Sequence, residues 1–382
     1  SLEQAFKLAP SRVDIRNRLA IAIALRSGAD IPWPRLKSLL DTNLIGDAQN
    51  KLLHALILLN RGNQEQEQQA ELILTQLVKS NDPKADDARR LLASLLRQRW
   101  GRAASIDENA PEAQRALSEA RGVYLTLINR DKPQPLDIYR LGDLLLRAEQ
   151  TQDVTALADQ LDAITKGSAI ALDLRLRLAK QAGHTDKIEE YANDWTTRAM
   201  EVDGLLQASV WETAGQLLSR LGYHKESIAW LERAYRDDSE KFRPYILGLT
   251  RARRFDEAIR LCTEQYAADH AANTASVLAD VAVLMGLGIQ ARPLSQKEEA
   301  VLQQALQEHP KNASLLEAVA TMRLAQERYS EAIPLYLESA KFSPNNVRLL
   351  NNLAMALSEI SGREREAIPY ARRAIKLYGR SP

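Results

Sequence analysis

The sequence predicts an all-α chain, an α-α superhelix built from antiparallel helix pairs, and three observations predict it. Leu, Ala, Arg, Glu and Gln dominate a composition with 5% aromatic residues and few Gly or Pro, and all five are good helix formers. Apolar residues recur at helical spacing in paired blocks, and few β-branched runs alternate with period two. The chain also repeats itself. Pro310-Lys311-Asn312 and Pro344-Asn345-Asn346 open two similar stretches whose prolines lie 34 residues apart. At that period the 382 residues hold about ten to eleven units.

Each unit reads as a first helix (A), a short polar turn and a second helix (B). Residues 2–10 look like the back half of a B helix stopped by Pro10, and 12–25 like the next A helix. The sequence thus begins inside a repeat and stops after a B helix, the pattern expected of a fragment of a longer protein. Segments 47–61, 64–80, 84–100 and 111–129 are amphipathic. Helix pairs follow at 136–149 with 152–165 and at 169–182 with 185–201. Segments 101–111, 129–135 and 286–295 interrupt the rhythm and read as surface insertions. Three stretches are distinguished, 1–131 (degenerate repeats), 132–272 (helix pairs) and 273–382 (the clearest repeats), within one continuous solenoid.

The C-terminal units carry the pattern best. In 313–346, Leu316, Val319, Ala320 and Leu324 share one face of helix A, and Ala332, Ile333, Tyr336 and Ser339 one face of helix B. Ala320 and Ala332 are small, so the two backbones can approach; Ser339 is small where helix B is expected to meet the next pair. Pro344 ends helix B because it lacks an N–H and restrains the residue before it. Leu350, Leu353, Ala354 and Leu357, then Ala367, Tyr370 and Ala374, repeat the arrangement, with one extra residue in the turn near Gly362. Upstream, Trp211, Ala214, Gly215, Leu218, Gly222, Ser227, Leu231 and Ala234 occupy the same slots. So do Phe242, Tyr245, Leu249, Phe255, Ala258 and Cys262, with Ile246 where a small residue is usual. Acidic openings of helix B, as in Asp256-Glu257 and Glu331, suit the positive end of the helix dipole.

This pattern resembles the tetratricopeptide repeat family, most clearly over 205–382. The resemblance implies a right-handed solenoid whose A helices line a concave surface holding extended peptides or partner helices. Carried over residue by residue, the inward polar positions are Arg348, Asn351, Asn352, Glu317, Arg243, Arg251, Glu212 and Gln216. Some members clamp a peptide's terminal carboxylate with Lys, Asn and Arg on three A helices. Asn352 fits the Asn slot, but no Lys and Arg stand in register beside it, so a clamp is not predicted.

No catalytic constellation accompanies the repeats, so the expected activity is protein binding, not catalysis, with no cofactor and no metal. The five histidines show neither i, i+4 spacing nor a cysteine partner at ligand spacing. Cys262, the single cysteine, falls in a core slot and reads as a buried, inert thiol. Gly286-Leu287-Gly288-Ile289-Gln290-Ala291 spells a dinucleotide fingerprint but follows a helix, where that motif needs a strand; it reads as a helix cap and loop. Asn312-Ala313-Ser314 is a glycosylation sequon at a repeat junction. Arg89, Arg90, Arg97, Arg99 and Arg102 form a basic cluster that reads as solvated surface. A net charge of +1, from 51 basic and 50 acidic residues, argues against nucleic acid as a partner. The longest apolar stretches fall far short of the roughly 20 residues that span a bilayer. A protein or peptide ligand is therefore expected, and an uncapped solenoid end would also favour self-association. Two other readings remain: the helical region of an enzyme whose catalytic domain lies outside 1–382, and a bacterial envelope or secretion assembly factor. Cytoplasm and periplasm are both compatible with the sequence.

Overall fold

The computed structural model describes residues 2–10, 12–26, 32–40, 48–61, 64–80, 84–165, 167–202, 204–286 and 294–378. They form 21 α-helices and one short 3-10 turn, with no strand among the described residues. The chain divides into two compact units, Ser1–His184 and Thr185–Pro382.

The first unit holds α1 (Leu2–Leu8), α2 (Val13–Arg26), α3 (Trp33–Leu40), α4 (Ala48–Arg61), α5 (Gln64–Val78), α6 (Ala85–Ala104), α7 (Pro111–Ile128), α8 (Pro135–Arg147), α9 (Val154–Ile164) and α10 (Ala169–Gln181). Helices pack in pairs, α4 on α5, α6 on α7 and α8 on α9. The A helices also touch along the stack, α2 on α4, α4 on α6 and α8 on α10. One apolar core runs from Ala48 to Leu174, and a smaller one under α2 and α3 gathers Leu19, Leu36, Leu39 and Leu40.

The second unit holds α11 (Asp186–Met200), α12 (Gln207–Arg220), α13 (His224–Asp237), α14 (Phe242–Arg251), α15 (Phe255–Asp269), α16 (Ala272–Gly286), α17 (Gln296–Glu308), α18 (Ala313–Ala325), α19 (Tyr329–Phe342), α20 (Val347–Ser358) and α21 (Glu364–Tyr378). Here α12, α14, α16, α18 and α20 form an unbroken file of A helices, each touching the next.

The turns explain the spacing. After α8, α12, α14 and α18, one residue takes a left-handed conformation, namely Glu149, Gly222, Arg253 and Glu327. The following N–H then reaches back to satisfy a carbonyl of the last turn, as in Tyr223 N–H to Leu218 O at 3.0 Å and Arg328 N–H to Arg323 O at 2.8 Å. At the other end of the unit, Pro310 and Pro344 follow the B helices. Asn312 and Asn346 cap the next A helices by accepting from Leu315 N–H and Leu349 N–H at 3.0 and 3.1 Å. The sequon asparagine thus spends its side-chain oxygen on a helix cap. Ser339 turns back rather than onward: its hydroxyl donates to Ala313 O at 2.9 Å, tying α19 to the start of its own A helix.

Small residues set how closely helices approach. Leu231 of α13 is fully buried against two A helices. A methyl on Gly215 of α12 would lie 2.6 Å from Leu231 Cγ and 3.1 Å from Ser227 O, and one on Gly248 of α14 only 2.5 Å from Leu231 Cδ1. Gly248 therefore provides the close approach expected at position 246, and Ile246 is buried in the core instead.

Two helices went unmarked in the sequence. In α3 there are only eight residues, and α17 is so polar that only Leu302 and Ala305 are buried. The interruption placed at 101–111 begins later, because α6 continues through Gly101 to Ala104. The fingerprint at 286–291 lies, past Gly286, outside the described residues.

Gly215→Ala is expected to destabilise the second unit by about 1–3 kcal/mol, since the methyl meets a buried side chain and a backbone oxygen. Gly101→Ala, with nothing within 4 Å of the new methyl, serves as the control. Thermal unfolding should show a lowered transition for Gly215→Ala and no loss for Gly101→Ala.

Candidate functional site

Charged side chains concentrate where A helices face one another, and most of them are consumed by the stack. In the first unit the arginines of α6 are not merely solvated: they are paired with acids and a carbonyl, although Arg102 stays exposed. Arg90 Nε donates to Asp137 Oδ2 of α8 at 2.9 Å, and the Asp137 side chain is 1% exposed. Arg97 reaches Asp143 at 3.2 Å, Arg99 reaches Glu71 at 2.6 Å, and Arg102 reaches Glu67 at 2.6 Å. Arg89 divides between Asp86 and the Val78 carbonyl. Sequence hid these pairs because their partners sit in neighbouring helices, 11 to 47 residues away, apart from Asp86. Asp143 also receives Arg147 and, from α10, Arg177 at 2.9 Å. Burial works against the charge of Asp143, but the hydrogen bonds from Arg147 and Arg177 outweigh it and hold the carboxyl below its ordinary value.

In the second unit the predicted residues divide into two sets. Glu317 of α18 is buried, 7% exposed, and accepts from Arg348 Nε of α20 at 2.9 Å and from Asn346 Nδ2 at 2.8 Å. Asn352 is within hydrogen-bonding reach of the Tyr336 hydroxyl. Asn351 beside them is exposed. Glu212 of α12 accepts from Gln216 at 2.7 Å and pairs with Lys241 at 3.1 Å. Arg243 of α14 lies 2.7 Å from Asp280 of α16. Asp280 is pushed above its ordinary value by burial, against the pull of Arg243 and Arg348. Arg243, Asp280, Glu317 and Arg348 thus form a mixed-charge row over four successive A helices.

Gln216, Arg243 and Arg251 converge on one depression of about 480 Å³ between α12 and α14. Arg220, Pro244 and Leu247 complete its rim and floor. Arg220 was missed in the sequence; it stands four residues after Gln216, one helical turn along the same face, and that spacing could have flagged it.

Other polar groups serve the packing. Tyr266 donates to Glu308 at 2.5 Å, Gln304 donates to it at 2.8 Å, and His270 Nδ1 lies 3.1 Å away, which joins α15 to α17. These bonds, Tyr266 first, lower the Glu308 carboxyl from 4.5 to about 2. Cys262 is fully buried, and burial pushes its thiol pKa up. No group of three or more His, Cys, Asp or Glu side chains suited to a metal ion occurs among the described residues. No helix among them is long and apolar enough to cross a membrane.

The fold and this face define a class: stacked helix-pair repeats with A helices lined up beside one another. A family model described as Tetratricopeptide repeat matches residues 208–236, the α12–α13 pair built around Leu231. The α12–α13 pair is thus a tetratricopeptide repeat. Solved structures similar to it include yeast Tom70, at 14% identity and a TM-score of 0.38, covering 98% of this chain and 87% of that one. MamA 41-end from Desulfovibrio magneticus RS-1 is 13% identical with a TM-score of 0.31, covering 45% of this chain and 94% of that one. No curated protein matches the sequence.

Two consequences can be measured. Arg90→Ala leaves the buried Asp137 without its cross-helix partner and is expected to cost about 3 kcal/mol, read as faster hydrogen exchange in α6 and α8. A carboxyl whose folded pKa lies below its unfolded value stabilises the fold above the unfolded value, and that contribution disappears as pH falls through the folded one. The α15–α17 contact should therefore loosen between pH 4.5 and about 2. In Glu308→Gln this part of the acid sensitivity should be missing, measured as the pH dependence of exchange in α17.

Proposed function

We propose that the chain is a protein-interaction scaffold, and that a partner segment lies across the A helices of the second unit at the depression between α12 and α14. The observation that carries this reading is the convergence there of Gln216, Arg243 and Arg251, three of the eight positions that the family resemblance marks as inward-facing. The tetratricopeptide repeat match at 208–236 covers one wall of the same depression. Its volume of about 480 Å³ lies within the roughly 300–1,000 Å³ typical of ligand clefts. Glu317, Asn352 and Glu212 contribute indirectly, by fixing the A helices that carry the exposed groups.

The test is capture of partners from lysate of the source cells by the chain and by a Gln216→Ala, Arg251→Ala variant, with mass-spectrometric identification. A partner held by the chain and depleted about tenfold on the variant supports the reading, a loss of roughly 1.4 kcal/mol in binding. Equal capture by both moves the site off this face.

A further inference from the structure

We propose that the exposed face of α21 is a second docking surface, the seat of an amphipathic helix from a protein partner that carries acidic residues along one edge. This surface is independent of the depression between α12 and α14.

Three B helices of the second unit share an opening step of a glutamate, a small residue and an isoleucine: Glu226-Ser227-Ile228 in α13, Glu257-Ala258-Ile259 in α15 and Glu331-Ala332-Ile333 in α19. Each isoleucine is buried, at 6%, 4% and 1% exposure. Each shares an apolar core with the next A helix: Ile228 with Ile246 and Leu249, Ile259 with Ala275 and Leu278, and Ile333 with Leu349 and Leu350. In α21 the step returns as Glu366-Ala367-Ile368, followed by a proline as in α19. Here Ile368 is 47% exposed, and Ile375, two turns along the same face, is 72% exposed. Among the described helices only α20 packs closely on α21. The A helix beside it is open in the same way. Glu317 of α18 is covered by Asn346 and Arg348 from the next A helix, whereas Asn351, in the equivalent slot of α20, is exposed. Scattered apolar residues on a surface need no explanation. An isoleucine exposed in a slot that is buried in three other repeats does.

The charge of the occupant follows from how this seat departs from the one on α19. Aligned on Ala332 and Ala367, Arg372 stands where α19 has Leu337, which is partly buried against the core it shares with α20. Arg365, Arg372 and Lys376 recur at helical spacing along one edge of the isoleucine stripe. All three are exposed, and none has a carboxylate partner among the described residues. The two acids of α21 are already engaged: Glu364 accepts from Gly362 N–H at 3.0 Å, and Glu366 pairs with Arg363 at 2.7 Å. A covering helix therefore needs an apolar stripe for Ile368 and Ile375, with carboxylates beside it for the cations. A second copy of this chain fits worse. A symmetric contact sets the same patch on both sides, so Arg365, Arg372 and Lys376 would face their own counterparts.

The experiment is fluorescence anisotropy on the full chain with labelled, acetylated and amidated helical peptides of about 20 residues. Each has leucines at i, i+3, i+4 and i+7 spacing. Along one edge of that stripe the first peptide carries glutamates, the second glutamines and the third lysines. The glutamate peptide is expected to bind about tenfold tighter than the glutamine peptide, and to lose about tenfold on Ile375→Ser. Its binding should weaken as salt rises. On Arg372→Glu the preference should reverse, with the lysine peptide binding tighter than the glutamate one. Arg236→Glu, on α13, should leave binding unchanged. Ile375 and Arg372 are both exposed, so their substitution should spare the fold, and circular dichroism checks each variant. Equal binding of the glutamate and glutamine peptides overturns the proposal. So does binding indifferent to both α21 variants, and so does a failure of every peptide to bind. If sedimentation shows a dimer that Ile375→Ser returns to monomer, the face belongs to a second copy and the proposal falls. It falls too if the peptides bind residues 1–382 but not the protein isolated from the source cells, which would give the face to another segment of the same chain.

Discussion

Leu231 is the piece on which the surrounding stack turns. It projects from one B helix into the notch left by two glycines, Gly215 on its own A helix and Gly248 on the next. A helix pair of this size cannot bury its apolar face alone, so it becomes stable only when the following pair covers it. The notch lets one side chain serve both contacts. Burying a leucine fully is worth about 1.5–3 kcal/mol, and here that gain is available only if α12, α13 and α14 are all in place. The neighbouring repeats reach the same end with other small residues, such as Ala320 and Ala332 between α18 and α19, both completely buried.

Close packing of the A helices brings their polar faces together, and the charges there must be reconciled. A carboxylate removed from water without a partner is expensive, and the acids buried between A helices are met by arginines and, at Asp173, by the Tyr139 hydroxyl as well. Asp137, Asp143 and Glu317 are the clearest cases. These pairs set register along the file more than they add stability. They also consume most of the groups that a partner could otherwise use. The leucine that fixes the approach of α12 and α14 also lines the depression between them.

Much of this was legible in the sequence, for a physical reason. Small residues at Gly215, Ala320, Ala332 and Ala354, and prolines at 310 and 344, are required by helix approach and helix termination, and few other residues can stand in for them. The clear repeats over 205–382 follow from that. Turns were harder to read, because the same left-handed conformation is carried by glycine at 222 but by Glu149, Arg253 and Glu327 elsewhere, which erases the usual mark. Ion pairs could not be read at all. Arg90 and Asp137 are 47 residues apart, and only the stacking of α6 on the following pair brings them together. For the same reason the sequence could place Glu317 on an inward face without revealing that Arg348 and Asn346 cover it.

The central claim is that the exposed edge between α12 and α14 is the surface a partner touches. The direct measurement is site-specific photocrosslinking in the source cells, with benzoylphenylalanine in place of Leu247 in the depression or of Arg236 on α13. The account predicts a discrete crosslinked adduct from position 247 and none from 236. Adducts of the same partner from 236 and not from 247 would contradict it.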